Sequence, residues 1–358
     1  MNTPVRIVLV GEAYGAQEAQ AKAPFVGPTG SLLNRLCQEA GLITAQEHKG
    51  IETALWARDY PRRDQLYARA GIRLTNVFNL QPPSNKIEAL CGPKHDKRRP
   101  IRAGKYLRPE YYGELDRLKT ELEEWQPNIT IGLGATALWF ATGYGAITKT
   151  RGTIIDSMLG KFLATYHPAY LLRGAWSMRP ILVSDLTKAH KHSIDRAVVR
   201  PPRTIYVPET LDDIAEAFEW LKDASTIAID IETAQEQITC IGFAPSKART
   251  LVIPIWDSTK LDNSYWMEYD EQRVWEWIRA ICALPAAKVF QNGLYDLHYL
   301  WRGYGIAVAN CKHDTMLLHH ALQPEVQKSL AFLGALYTDE VAWKQMRKHV
   351  TTLKHEDE

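Results

Sequence analysis

The stretch Val10–Leu33, VGEAYGAQEAQAKAPFVGPTGSLL, constrains this chain more than any other. It follows a short apolar run, Ile7–Val10, that reads as a buried strand. Gly11, Gly15, Gly27 and Gly30 punctuate it, and it sets an acid, Glu12, and an aromatic, Phe25, in the loop leaving that strand. In open α/β sheets ligands bind outside the carboxyl ends of the strands. Glycines there let backbone N–H groups approach a substrate, and a ring in the same loop can stack on a flat heterocycle. The segment therefore predicts a ligand site at a strand end of an α/β fold.

The rest of the first half alternates in the same way. Val5–Val10, Ile72–Val77, Ile129–Leu133 and Phe162–Tyr166 read as strands. Gly30–Ala40, Pro109–Trp125 and Ala135–Ala141 read as helices. That order predicts a mostly parallel sheet with helices on both faces. Gly41–Ala70 is polar and stands out as an insertion. A seam falls at Arg200–Val207, punctuated by Pro201, Pro202 and Pro208. Beyond it Thr210 with Asp213 starts a helix, Leu211–Leu221, on apolar residues at helical spacing. Strand-like runs follow at Thr226–Ile231, Ile238–Ala244 and Leu251–Ile255, then helices around Glu271–Cys282, Leu294–Arg302, Thr315–Ala321 and Leu330–Tyr337. Consecutive strands followed by helices predict an α+β domain, so we expect two domains, residues 1–200 and 204–358.

Bulk properties agree with this reading. The chain has 358 residues, 46% hydrophobic and 23% charged, as in a globular protein of two ordinary domains. A formal net charge of +2 means that any nucleic-acid footprint is local. Five scattered cysteines without a C-x-x-C pair fit a reducing compartment. No apolar run has the length of a membrane span, and the N-terminal apolar run is too short for a signal peptide, so a soluble cytoplasmic protein is expected.

The first loop resembles the opening motif of the family-4-type uracil-DNA glycosylases, GE-x-PG-x-x-E…PFVG-x-x-G-x-LL, with Tyr14 where that family usually has proline. Thr75–Asn85, TNVFNLQPPSN, is similar to its TN-V-V-K-C-R-P-P-x-N segment, and Ala164–Arg173, ATYHPAYLLR, to its HP-x-x-LLR motif. Ile131–Ala137 and Arg151-Gly152 also recur and read as fold elements. The resemblance implies a three-layer α/β/α glycosylase that acts on uracil-containing DNA by flipping the base out of the stack. Phe25 would stack on the uracil, Asn76 would read its edge, and the backbone around Glu12 and Ala13 would contact the ring. His167 would donate to O2, where charge collects as the glycosidic bond breaks. Glu12, Glu18 or Asn85 would orient the attacking water, a choice the sequence leaves open. Tyr14 or Glu18 would exclude the 5-methyl group of thymine. Tyr170, Leu171 and Leu172 would wedge into the gap left by the base, and Arg173 would meet a phosphate. Relatives usually hold an iron–sulfur cluster on four cysteines. Leu80 stands at the third of these positions and the chain starts directly at the strand, so no cluster is expected and the glycosylase needs no cofactor. Something else must brace that region, and the Gly41–Ala70 insertion is the candidate.

Lys94–Arg108, KHDKRRPIRAGKYLR, is the densest basic stretch. It is either a solvated loop or a DNA-phosphate contact through residues such as Lys97, Arg98 and Arg99.

In the second half, Ile227–Thr233 (IAIDIET) puts Asp230 and Glu232 on one face of a strand, a pairing that suits Mg²⁺ or Mn²⁺. QNGLYD (Gln291–Asp296) follows a strand, and HDTML (His313–Leu317) comes later. The ensemble resembles the ribonuclease H-like proofreading 3′–5′ exonuclease domain of family-A DNA polymerases, including bacteriophage ones. It implies metal ligation by Asp230, Glu232 and Asp296, with Asn292 in the second motif and Asp314 in a less certain role. The third motif, Tyr-x-x-x-Asp, is missing, since Tyr337 is followed four residues later by Val341. An incomplete domain with weak or no exonuclease activity on its own is expected, with the missing part on a second polypeptide or beyond a truncation. Two other readings stand beside the glycosylase: a non-catalytic uracil- or DNA-binding module, and the N-terminal part of a split DNA polymerase whose partner chain completes proofreading.

Overall fold

The computed structural model describes residues 4–95, 98–199 and 201–340. Two compact units divide the chain. One runs through Val198 and takes in the chain again from Ala331, and the other is Val199–Leu330.

The first unit is built on strands β1 (Ile7–Ala13), β2 (Ile72–Phe78), β5 (Ile129–Leu133), β6 (Ile154–Ser157) and β7 (Gly160–Thr165), in the order β2-β1-β5-β7-β6. All pairs are parallel except β6 with β7. A short antiparallel pair, β3 (Cys91–Gly92) and β4 (Tyr106–Leu107), stands apart. Ile7–Val10 is completely buried, which is why this central strand reads as an unbroken apolar run rather than an alternation. The helices are α1 (Ala16–Ala21), α2 (Pro28–Glu39), α3 (Ala45–Trp56), α4 (Tyr60–Arg69), α5 (Tyr112–Trp125), α6 (Ala135–Thr142), α7 (Ile147–Thr150), α8 (Pro168–Leu172) and α9 (Arg179–Lys191). Leu115, Leu118 and Leu122 of α5, with Trp139 and Phe140 of α6, pack on Val8, Val10, Val77 and Phe78. Helix α9 packs against β5 and β7 and against α2.

Three local features differ from the sequence expectation. The Gly41–Ala70 insertion is a pair of regular helices, α3 closed by a Thr44–Glu47 capping box and α4 capped by Asp59. Its pattern was obscured because α4 buries a cation, Arg63, together with Tyr67. Strand β6 carries no hairpin signal in the sequence, since its turn to β7 through Met158 and Leu159 lacks the glycine–asparagine chemistry that marks hairpins. From Ala331 the last described helix, α14 (Leu330–Tyr337), groups with the first unit. There the buried Lys188 ammonium donates to the carbonyls of Gly152 (2.9 Å), Thr338 (2.6 Å) and Ala335.

The second unit has a mixed sheet, β13-β12-β9-β10-β11-β8, made of β8 (Thr204–Tyr206), β9 (Thr226–Ala234), β10 (Gln237–Ser246), β11 (Arg249–Pro254), β12 (Ala287–Phe290) and β13 (Cys311–Asp314). Helices α10 (Leu211–Leu221), α11 (Glu268–Ala283), α12 (Leu294–Tyr304) and α13 (Thr315–Leu322) accompany it. Helix α10 begins at the Thr210–Asp213 capping box, as expected. In β9, Ile227, Ile229 and Ile231 are buried while Asp230 and Glu232 face outward. Strand β13 gave no signal because it is a polar edge strand, largely exposed. Among the described residues no helix is long and apolar enough to cross a membrane.

Candidate active site

The carboxyl ends of β1, β2, β5 and β7 open into one cleft of about 630 Å³. Glu12, Ala13, Glu18, Phe25, Asn76, Asn85, His167, Tyr170 and Arg173 all line it. These residues come from segments up to 161 positions apart in the chain, yet they share one wall-to-wall space.

Register accounts for the centre of the cleft. Gly11 pairs with Asn76 across β1 and β2. A Cβ on Gly11 would lie 2.1 Å from Asn76 Oδ1 and 2.6 Å from Phe25 Cζ. The bare backbone of Gly11 is thus what allows the amide and the ring tip to meet. Asn76 is held from behind by Arg117 of α5, whose Nη2 donates to the carbonyls of Asn76 (2.7 Å) and Val77 (3.2 Å). Phe25 sits in the left-handed region, φ 53°, and its carbonyl presses on Gly30. The fully buried Arg63 donates from Nη1 to the carbonyls of Pro24 (2.6 Å) and Phe25 (3.1 Å). The insertion therefore braces the aromatic loop through one guanidinium.

His167 caps α8, and its Nδ1 accepts from the Ala169 N–H at 3.2 Å. That bond places the proton of the neutral ring on Nε2. Burial, with a smaller contribution from the Arg173 charge, lowers the imidazole pKa to about 4, so the ring is neutral at physiological pH. Its centroid lies 6.0 Å from that of Phe25, at an interplanar angle of 25°. Tyr14 is buried in the same wall, its N–H donating to Leu80 O at 3.1 Å, and burial raises its hydroxyl pKa. Asn85, exposed at the rim, adopts φ 54° and accepts from Gln81 Nε2 at 2.9 Å.

Sequence reasoning missed two residues that line the cleft, Arg102 and Tyr166, and one, Thr136, that is fully buried behind it. Thr136, in a segment read as a fold element, donates its hydroxyl to Glu12 Oε2. Arg102, from the basic stretch, reaches the same oxygen at 3.3 Å. Tyr166 lines the cleft and packs on Tyr170 with centroids 5.3 Å apart. A hydroxyl and a cation flanking an acid of the first loop leave no local mark in a sequence.

The DNA-binding expectations divide. Leu171 is 2% exposed and belongs to the core, so it cannot serve as a wedge; its helical neighbours Tyr170 (41%) and Leu172 (49%) are the exposed ones. Successive residues of a one-turn helix point different ways, which a motif written LLR hides. Arg98 lies over the Tyr112 ring at 3.5 Å and Arg99 over Tyr144 at 3.7 Å. Lys97 lies outside the described residues. Leu80 is partly buried against a cluster containing Ile87, Leu90, Ile101 and Leu107. Cys37 and Cys91 are the only cysteines in residues 1–199, and both are free thiols, a donor set that does not fit a four-thiolate cluster.

In the second unit Asp296 is 4% exposed and its Oδ1 accepts from the Ile231 N–H at 3.0 Å. Burial, then the charges of Asp230 and Asp314, raise its pKa to about 6 against the opposing pull of that N–H. Among the described residues no three His, Cys, Asp or Glu side chains are placed to hold a metal ion, so Asp230, Glu232 and Asp296 do not form a ready ligand set. One oxygen of Asp296 is committed to the backbone between the other two. Asp314 is a latch: its carboxylate accepts from the N–H groups of Asn292, Gly293, Met316 and Leu317. Val341, where the third motif would need its aspartate, lies outside the described residues.

Comparison with known proteins follows the same division. Residues 205–351 match a family model described as a 3′-5′ exonuclease. RNase D of Escherichia coli is 16% identical over 38% of this chain and 34% of its own, with a TM-score of 0.30, too slight a likeness to argue from. The type-4 uracil-DNA glycosylase of Thermotoga maritima is 32% identical over 197 residues, 52% of this chain and 78% of that protein. The type-4 enzyme of Archaeoglobus fulgidus is 27% identical over 181 residues, 48% and 69% of the two chains. Residues 1–188, more than half of the 358, match the model of the uracil DNA glycosylase superfamily, and the chain belongs to that superfamily.

Proposed function

We propose that this protein removes uracil from DNA by flipping the nucleotide into the cleft and hydrolysing its N-glycosidic bond. The observation that carries this reading is the convergence of Phe25, Asn76 and His167 on one cleft. Uracil stacks on Phe25, and the Asn76 amide pairs with O4 and N3–H, offering a donor and an acceptor in one plane. As the bond breaks, the sugar becomes cation-like and the base takes up negative charge, chiefly at O2. The Nε2–H of neutral His167 meets that oxygen; a neutral ring with Nδ1 already engaged is a fixed donor that needs no reorganisation. The backbone of Ala13 contacts the ring, one of Glu12, Glu18 and Asn85 orients the water, and Tyr14 or Glu18 shapes the wall that meets the C5 position. Exposed Tyr170 and Leu172 fill the vacated stack and Arg173 meets a phosphate.

The second unit is an exonuclease-like module with weak or no activity on its own, a reading supported by the Tyr-x-x-x-Asp motif, whose aspartate is replaced by Val341 four residues after Tyr337. If it gains activity with Mg²⁺ or Mn²⁺, Asp230, Glu232 and Asp296 are the ligands and a DNA polymerase polypeptide is the partner that completes it. The setting is DNA repair or replication of bacteriophage type, in the cytoplasm of the cell.

The test is an oligonucleotide with a single uracil. Wild type yields an alkali-labile abasic site, and His167→Ala loses roughly 10²–10³-fold in rate, as for removal of one oxyanion donor. Equal rates for the two proteins refute the assignment. Binding without product from wild type supports a sensor instead.

A further inference from the structure

We propose that Arg102 is a positioning residue for the glycosylase reaction: with Thr136 it holds the Glu12 carboxylate by Oε2 and so leaves Oε1 to orient the attacking water. The proposal rests on the glycosylase reading above and assigns the water to Glu12 among the three candidates.

Glu12 lies at the end of β1, in the wall of the cleft. Arg102 Nη2 stands 3.3 Å from its Oε2 and 3.4 Å from Thr136 Oγ1, and the Thr136 hydroxyl donates to the same Oε2. Both bonds therefore engage one oxygen. The guanidinium is itself fixed. Its Nη1 donates to Ile101 O at 3.3 Å, its Nε lies 3.6 Å from Glu88 Oε1, and a tight turn joins Arg102 to Lys105. Two carboxylates thus draw this one cation inward. Arginine is suited to the task because its rigid planar fork, held at Nη1 by Ile101 O and at Nε by Glu88, fixes where the single donor Nη2 points, which a flexible lysine ammonium does not. Thr136 sits in the first turn of α6, fully buried, and adds a second fixed direction. The competing candidates lack such support: Asn85 is exposed and paired with Gln81, and Glu18 lies on the short helix α1. In a dissociative cleavage the water needs orientation more than deprotonation, so the geometry of this carboxylate is what the arginine supplies.

The experiment compares wild type, Arg102→Met, Arg102→Lys, Thr136→Val and Glu12→Gln, with the Arg102→Met/Glu12→Gln double variant, on the single-uracil oligonucleotide. The expected result is a fall in kcat of roughly 10–10²-fold for Arg102→Met at nearly constant KM, with partial recovery in Arg102→Lys. Thr136→Val, which keeps the cation in place, loses kcat in the same way and keeps the test readable should Arg102→Met fail to fold. The double variant is no slower than Glu12→Gln, because both changes disable one unit. A phosphate-binding role predicts the opposite pattern: KM rises, kcat holds, and the salt slope of binding drops by about 1. That pattern, or losses that multiply in the double variant, overturns the proposal while wild-type product formation leaves the glycosylase reading intact. Absence of product from wild type overturns both.

Discussion

Replacing Gly30 by alanine tests whether the aromatic loop is held where the structure puts it. The added methyl carbon would stand 1.9 Å from the carbonyl oxygen of Phe25, 2.5 Å from its carbonyl carbon and 3.3 Å from its Cα. Real Cβ contacts essentially never fall under 3.0 Å, so the Phe25 backbone must retreat by about 1 Å. It has no easy direction. The same carbonyl accepts from buried Arg63 at 3.1 Å, and the residue already sits at φ 53°. The ring tip rests on Gly11 beside Asn76, so movement of the backbone becomes movement of the stacking surface. A displacement of about 1 Å in a catalytic arrangement is worth about 10² in rate. Loss of an aromatic stack is worth about 1–3 kcal/mol, or roughly 5–150-fold. Gly30→Ala is therefore expected to lose roughly 10–10²-fold in kcat/KM, measured as abasic-site formation in single turnover. Gly113→Ala is the control: its Cβ would meet nothing within 4 Å, on a helix where alanine is favoured, and its rate matches wild type. Adding Gly30→Ala to Phe25→Ala costs little further, because the effect runs through the ring. A folded Gly30→Ala protein within about threefold of wild type refutes the argument, since that is far below the 10²-fold effect of misplacement.

Three further outcomes are expected. The folded pKa of His167, about 4, lies below its ordinary 6.5, so the unfolded chain takes up the proton first. This contribution to stability is complete above pH 6.5 and is lost as pH falls toward 4. Activity accordingly shows no His167 inflection between pH 5.5 and 8 and declines only near about 4, where a proton on Nδ1 would confront the Ala169 N–H; ¹⁵N NMR of the ring checks the tautomer, and an inflection near 6.5 that vanishes in His167→Asn contradicts it. Asp185→Asn strands the buried Arg151, which Asp185 holds through Nε at 2.9 Å and through Nη2, with Thr165 Oγ1 at 2.7 Å. The expected loss is about 3–5 kcal/mol in denaturant unfolding, and a change under about 1 kcal/mol would show that the pair is not structural. Leu172→Ala slows uracil release from duplex more than from single-stranded DNA without shifting Tm, whereas Leu171→Ala lowers stability by about 2–5 kcal/mol; the reverse assignment would restore Leu171 as the wedge.

Much was legible from the chain itself, for reasons that are local. Ile7–Val10 announced a central strand because a parallel strand covered on both faces must be apolar throughout. The Thr210–Asp213 pair announced α10 because a cap and its reciprocal acid lie within one turn. The alternation of Ile and acid in β9 announced a one-sided strand. The glycines of the first loop marked where backbone and ligand come close, and the motifs named most of the cleft's lining. What only the tertiary structure decided is which polar groups are partnered. Arg102 and Glu12 are 90 positions apart, Thr136 and Glu12 are 124 apart, and Arg63 and Phe25 are 38 apart. Nothing in the neighbourhood of any of these residues distinguishes an arginine that holds a catalytic loop from one that faces solvent. Burial of Leu171 beside exposed Leu172 is likewise set by how α8 lies on the unit, not by residue type. Element identity follows from interactions within a turn or a strand pair, which sequence spacing encodes. The pairing of charges depends on through-space distances that exist only after the sheet has brought the ends of β1, β2, β5 and β7 together.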